Sequence, residues 1–405
     1  MSNNRYSEDF IRALSFPRMA GTEGEKKAQE LIESEFKRMG VEEYRTQEFK
    51  YSWFYMNTLL RIYDVITALL IISTFFLIIL DRYYLSLILG IILFVYSFYS
   101  RQIREYLHFK VLHLGKDYKS KNYIAKISAQ HSEVSRANVV FFAHYDSISH
   151  KLHPIFSGAL YFLGLVGGSL FSLHLFITIM LYHFSVISSI PYLFFSYGFV
   201  IALVISLQIF NTRDNKSPGT GDNATGVSNV FYLLEHFHQN PLSHTNLTFV
   251  FTGAEEAGDL GAYNFIKEFH SQFDVKHTYF IIVDTVALNE KENLYFYGQG
   301  YPKQIFSPHL KKKTEMILTQ NEKYQKTLNE VYIPPLIAYS TDHTPLKFYG
   351  YEFIIFGSNG RIHSEEDNPD HLHPNMMKNF NEFSQDLVIT LNSSFLSPSQ
   401  REKEN

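Results

Sequence analysis

The chain has 405 residues, is 46% hydrophobic and carries a formal net charge of −4. That length supports one large core or two, and the mixed acids and bases give no sign of nucleic-acid binding. It has no cysteine, which excludes disulfides, thiolate metal ligands and a cysteine nucleophile and fits a reducing compartment.

Met1 to Glu8 is polar with no apolar run, so no cleaved signal peptide is expected. Asp9 to Met39 reads as helical, broken around Pro17 to Gly21 and resumed over Glu23 to Met39. Val65 to Leu80 is uncharged, and Thr58 to Tyr63 extends it with Arg61 near an interface. Asp81-Arg82 then forms a polar turn and Tyr83 to Ser100 a return span. Asn122 to Ile127 and Ala137 to Ala143 are β-rich. No Asp, Glu, Lys or Arg lies between Lys151 and Arg213. Within that stretch Pro154 to Tyr182 and Val186 to Gln208 each exceed the ~20 apolar residues that cross a bilayer. His183 to Pro191 supplies the turn, and tyrosines crowd the ends of these runs as in interfacial belts. The alternative is two helical hairpins buried in a soluble core.

Beyond these runs the pattern alternates. Leu247 to Thr252, Thr278 to Asp284, Leu294 to Gly298 and Glu352 to Gly357 are strand-like. Gly226 to His238, Gly261 to Phe273 and Pro302 to Gln320 are helix-like. Ser397 to Asn405 reads as a frayed polar tail. The expected fold is therefore α/β, a mixed central sheet with helices on both faces. A catalytic domain over residues 1–50, 101–150 and 213–405 is interrupted by hairpins at 51–100 and 151–212.

Four short stretches and one histidine carry the chemistry, and three of them follow strands, where α/β sheets collect ligands. His144 and Asp146 follow the strand at Ala137. An imidazole that binds metal needs its second nitrogen held, a role open to Asp146; a plain strand-end turn explains the pair as well. Asp222 lies in Ser217-Pro218-Gly219-Thr220-Gly221-Asp222-Asn223-Ala224. A carboxylate there can bridge two ions or cap the following helix. Glu255 and Glu256 are adjacent, so their side chains diverge: one can bind metal while the other reaches a water, or both can be solvated. Asp284 ends a buried strand and wants a cation or several donors. His363 stands in a loop, with His371 and His373 as competitors. Imidazole and carboxylate donors suit zinc, or cobalt or manganese, and a pair of such ions sharing a water.

Taken in order, these motifs resemble the dinuclear zinc aminopeptidase family, whose relatives include glutaminyl cyclases and glutamate carboxypeptidase. The resemblance implies that His144, Asp222 and Asp284 hold one zinc and Asp222, Glu256 and His363 the other. It implies Glu255 as general base and Asp146 as the orienting acid. Ser340-Thr341-Asp342-His343 matches a Ser-Asp-His segment of many members. Gly221 stands where the family usually has Asp, and Thr285-Val286-Ala287 where Met-Val-Gly is common. Neither departure removes a ligand.

The implied protein is an integral membrane metallopeptidase that trims N-terminal residues from peptides. Its partners are a peptide substrate and the lipid bilayer, with no expectation for oligomeric state. Glutaminyl cyclisation or carboxypeptidase action is the alternative on the same scaffold, and a non-catalytic membrane receptor or chaperone is the opposing class. Lys50, Arg61, Arg101, Arg104, Lys110, Lys116, Lys151, Arg213 and Lys216 flank the four spans, and only Arg82 lies at the far side. The positive-inside rule then puts the catalytic domain in the cytoplasm.

Overall fold

The computed structural model describes residues 5–109, 114–131, 137–152, 154–287, 294–298, 307–325, 328–331, 340–358 and 362–394. The expected tail from Ser397, the first residues of the Pro302 helix and Lys110 lie outside them. The chain divides into two compact units. One comprises Met1–Tyr51, Asp117–Ser149 and Asp214–Asn405, the other Ser52–Lys116 and His150–Arg213.

The first unit is built on eight strands: β1 (Tyr44–Tyr51), β2 (Tyr118–Ile127), β3 (Ala137–His144), β4 (Thr245–Thr252), β5 (Thr278–Val283), β6 (Leu294–Tyr297), β7 (Leu328–Glu330) and β8 (Glu352–Ser358). They form one mixed sheet in the order β1-β2-β4-β3-β5-β8-β6-β7. The central four, β4, β3, β5 and β8, are mutually parallel. The outer pairs β1/β2, β2/β4 and β8/β6 are antiparallel.

Parallel strands need cover on both faces, and the apolar residues split accordingly. Val139, Phe141, Phe249, Phe251, Ile281 and Phe356 face one core, with the helices Glu23–Met39, Gly226–Gln239, Pro308–Gln320 and Pro374–Ser394. Val140, Phe142, Val250, Phe280, Ile282 and Ile355 face the other, with helices Leu260–Phe269 and Thr344–Tyr349. Period-2 alternation within fully apolar runs thus feeds two cores from the same strands. The strand β1 was not expected. Its inward positions include Gln47, whose amide donates to the Asn264 carbonyl at 2.9 Å and accepts from Asn122 at 2.8 Å. Arg45, Glu48 and Lys50 are exposed, and such charges blunt an edge strand.

The N-terminal segment is locked down by a fully buried arginine. The Arg18 guanidinium donates to the carbonyls of Leu14 (3.0 Å), Phe16 (3.3 Å), Tyr145 (2.6 Å), Pro218 (2.5 Å) and Gly219 (2.7 Å). It thereby joins the loop after β3 to the loop before Asp222. Gly219 permits this: its φ is +63°, and a Cβ would lie 2.5 Å from Ser147 Cβ and 2.6 Å from Arg18 Nη1.

The second unit is a bundle of apolar helices. Three are long and apolar enough to cross a membrane: Tyr55–Ile79, Phe156–His183 and Tyr192–Phe210. Among the described residues of the helix Tyr83–His108, Tyr83–Ser97 is apolar. So among the described residues three of the four expected spans meet the length and composition needed. The last span starts later than expected, at Tyr192, because Val186 to Ile190 belong to the turn ahead of Pro191. Phe75, Phe171, Leu175, Phe195 and Ile205 fill the bundle interior. Gly164 lets helices approach there, since a Cβ would sit 2.6 Å from Ile205 Cγ1. Among the described residues, the exposed large apolar side chains lie almost entirely on this unit; the other shows Val275, Met316, Phe348 and Ile389.

Replacing Arg18 with methionine leaves five carbonyls without their shared donor. The expected cost is about 3–5 kcal/mol, read as a lowered unfolding temperature of the detergent-solubilised chain with far-UV helicity retained below the transition. A variant as stable as the parent would show that these bonds do not hold the loops.

Candidate metal centre

Because the four central strands are parallel, their C-terminal ends share one edge of the sheet. His144 is the last residue of β3, Glu255 and Glu256 follow β4, Asp284 follows β5, and His363 lies in the loop after β8. Asp222 comes from the turn that leads into the helix Gly226–Gln239. Three non-glycine residues at or beside these positions have left-handed backbones: Ala254 (φ 54°), Thr285 (φ 58°) and His363 (φ 57°). Such conformations are costly, above all for β-branched Thr285, and persist only where neighbours enforce them. Thr285 is held by its N–H donating to Asn223 Oδ1 (3.2 Å) and its carbonyl accepting from Ser358 Oγ (2.8 Å).

The side chains meet in two groups. His144, Glu255 and Asp284 form one, and Asp222, Glu256 and His363 the other, each with ligand atoms within 4.8 Å of one another. Asp222 spans both. Its Oδ1 lies 3.1 Å from His144 Nε2 and its Oδ2 lies 3.0 Å from His363 Nε2. His144 Nε2 is also 3.4 Å from Asp284 Oδ1 and 3.9 Å from Glu255 Oε2. His363 Nε2 is 3.3 Å from Glu256 Oε2. His371 and His373 belong to neither group.

Asp146 is buried beneath this arrangement. His144 Nδ1 lies 3.2 Å from the Asp146 carbonyl oxygen and 3.7 Å from its Oδ1. The Asp146 carboxylate itself accepts the N–H groups of Glu255 (3.1 Å) and Glu256 (3.2 Å). Asp342, in the Ser-Thr-Asp-His segment, is also buried and accepts from Thr252 Oγ1 at 2.6 Å. Ser340 Oγ donates to Asp259 Oδ2 at 2.6 Å.

Burying so many acids together distorts their titration. Burial, then the charges of Asp259, Glu256 and Asp284, push the Glu255 carboxyl well above the usual range despite His144. Burial and the Asp222 charge push Glu256 up. Asp342 is raised by burial and by Asp259 and Asp284. Burial and Asp222 push Asp367 up to about 7. The imidazoles answer in kind. Burial lowers His144 and His363, but the carboxylates around each outweigh it and hold both well above their usual value. Asp222, against two imidazoles, is driven far down despite its burial.

The donor set fits divalent metal. All ligand atoms are imidazole nitrogen or carboxylate oxygen, as zinc accepts. Glu256 Oε1 is buried with no hydrogen-bond partner, which is costly for a carboxylate oxygen without a cation. The two groups, with Asp222 reaching a histidine of each, could hold two ions.

Three further residues hold the Asp222 segment, and sequence reasoning missed all of them. Arg18 joins it to the residue after His144, as described. Asn223 joins it to the Asp284 strand: its Nδ2 donates to the Val283 carbonyl (2.8 Å) and its Oδ1 accepts from Gly226 N (2.9 Å) and Thr285 N (3.2 Å). Asp367 joins it to the His363 loop. The one signal in the chain was position: Asp367 closes the acidic run His363-Ser364-Glu365-Glu366-Asp367, and Arg18 stands alone in a Pro/Gly break.

Comparison with curated proteins finds no match in sequence. Residues 206–388 match the family model described as Peptidase family M28. That stretch contains Asp222, Glu255, Glu256, Asp284 and His363, and begins after His144 and Asp146. Among solved structures, the glutaminyl cyclase of Fimbriiglobus ruber is 14% identical with a TM-score of 0.55, over 96% of this chain and 95% of that one. The zinc aminopeptidase BSAP from Bacillus subtilis is 14% identical with a TM-score of 0.53, over 96% and 94%. An aminopeptidase from Aneurinibacillus sp. strain AM-1 is 13% identical with a TM-score of 0.54, over 96% and 93%. Residues 206–388, with the clustered acids and imidazole they contain, thus match a peptidase family M28 domain.

Proposed function

We propose that this chain is a membrane-bound metallopeptidase that removes residues from the N-termini of peptides at a centre for two divalent ions, zinc foremost. The observation that carries the reading is Asp222, which turns one carboxylate oxygen to His144 and the other to His363 at 3.1 and 3.0 Å. On this reading His144, Asp222 and Asp284 hold one ion, and Asp222, Glu256 and His363 the other. Ions bound there would supply Lewis acidity, polarising a carbonyl oxygen and lowering the pKa of a water.

The chain's own residues do the rest. Glu255 stands farther from His144 Nε2 than Asp222 or Asp284 does, which suits a group that works on water rather than as a ligand. It takes a proton from the attacking water and passes it to the leaving amine. Asp146 fixes the backbone of both glutamates and the orientation of His144. Aminopeptidase action is preferred to carboxypeptidase action because zinc aminopeptidases are among the solved structures that share this fold. Glutaminyl cyclisation is the second reading, favoured by the fold likeness to glutaminyl cyclases. Peptides beginning with glutamine separate the two: the first activity releases the residue, the second releases ammonia only.

The three long apolar helices and the apolar exterior of their unit support a bilayer as partner, and the basic flanks support a cytoplasmic catalytic unit.

Purified protein should contain two divalent ions, and Asp222→Ala should lose both. Glu255→Gln should keep both while turnover falls about 10²–10⁴-fold; Glu256→Gln should weaken one ion. Full metal content in Asp222→Ala, or the two glutamates behaving the other way round, would contradict the assignment.

Acid titration of the chelated protein gives an independent check. Glu256, Asp342 and Asp367 have folded pKa values raised above the unfolded ones. Between about pH 4, the unfolded carboxyl value, and about 7, the folded value for Asp367, the folded state holds protons that the unfolded state has released. Stability must therefore fall as pH rises through that window. The unfolding temperature of the chelated chain should drop from pH 5 to pH 8, and zinc should flatten the profile. A rising profile without metal would contradict it.

A reporter after Asn405 should read cytoplasm, and one inserted at the Asp81-Arg82 turn the far side. Both reporters on the same side would leave the first hairpin without a complete crossing.

A further inference from the structure

Asp367 lies four residues after His363 and its side chain is fully buried. Its Oδ1 accepts the Gly221 N–H at 2.6 Å and its Oδ2 accepts the Asp222 N–H at 3.2 Å. The loops are already joined through the backbone, where Thr220 N–H donates to the Asp367 carbonyl at 3.2 Å. The side chain therefore adds something a simple loop closure does not need: a two-oxygen grip on the amide of the residue whose own carboxylate spans both groups. A second negative charge beside Asp222 is otherwise unfavourable. The grip is also local to one half. Asp367 belongs to the His363 loop, whereas the His144 and Asp284 segments are joined to the Asp222 turn by Arg18 and Asn223.

We propose that Asp367 is the positioning residue of the Asp222–Glu256–His363 half of the centre. It holds Asp222 Oδ2 against His363 and thereby sets how tightly that half binds its ion. This rests on the two-ion reading above. Asparagine at 367 keeps the shape but offers one acceptor, and its NH2 meets an N–H donor, so one of the two amide bonds is lost.

The test uses the full-length chain in detergent. Metal-free parent and Asp367→Asn are titrated with Zn2+ against a chromophoric chelator, and thermal unfolding of the metal-free forms is recorded. The parent should bind two ions. Asp367→Asn should lose about 10–100-fold in affinity for one ion, keep the other at parental affinity, and unfold at the parental temperature when metal-free. Glutamate at the same position, Asp367→Glu, retains both acceptors and should fall between the two. In a His363→Ala background, where that half is already broken, Asp367→Asn should leave the remaining ion's affinity unaltered.

Equal weakening of both ions, two ions at parental affinity, or a further loss in the His363→Ala background would overturn the proposal while leaving the two-ion reading intact. Failure of both position-367 variants to fold would overturn it as well, making Asp367 a residue of the fold. A parent that binds no ion would instead defeat the reading on which it rests.

Discussion

One carboxylate holds the centre together. Asp222 reaches two imidazoles through its two oxygens, and the imidazoles come from the end of β3 and the loop after β8. A displacement of even half an ångström toward one is a displacement away from the other. The Asp222 turn must therefore be fixed in every direction at once. Arg18 does so toward His144, Asn223 toward Asp284 and Asp367 toward His363, each through backbone groups rather than side chains. Asp146 performs the same service for the two glutamates. Backbone amides and carbonyls have few degrees of freedom, so bonds to them transmit position better than bonds between flexible side chains.

The same constraint explains the electrostatics. Buried carboxylates repel each other and are costly to charge, yet Asp146, Asp222, Glu255, Glu256, Asp342 and Asp367 are all buried here. Arg18 is a buried cation drawn toward four of them, Asp367, Asp146, Asp222 and Glu256, but its donors go to carbonyls. The surplus charge is the property a bound cation relieves, and Glu256 Oε1 has no hydrogen-bond partner. The sheet bears this because its apolar faces are separate from its polar edge: Val139 to Phe142 serve both cores, and in the four central parallel strands acids occur only at or beyond the ends.

The sequence disclosed the groups that end apolar strands. His144, Glu255, Glu256 and Asp284 each follow a run that alternates into two cores, and Asp222 is marked by the Gly/Pro loop around it. His363 was legible only through its order after the others. What stayed hidden has a common cause. Arg18, Asn223 and Asp367 bond to main-chain atoms as far as 127, 201, 62 and 146 residues away, and main-chain partners leave no residue type to recognise. The strand β1 was hidden because an inward Gln47 breaks its apolar alternation. The apolar helices were plain from their uncharged length, but composition overran the last one into the turn before Pro191.

The central claim is that one carboxylate lies between two ions. The most direct measurement is anomalous scattering at the zinc edge from crystals of the full-length protein grown with zinc. The account predicts two peaks about 3.5–4 Å apart, one on each side of the Asp222 carboxylate, the first beside His144 and Asp284 and the second beside Glu256 and His363. A single peak, or two peaks on the same side of Asp222, would contradict it.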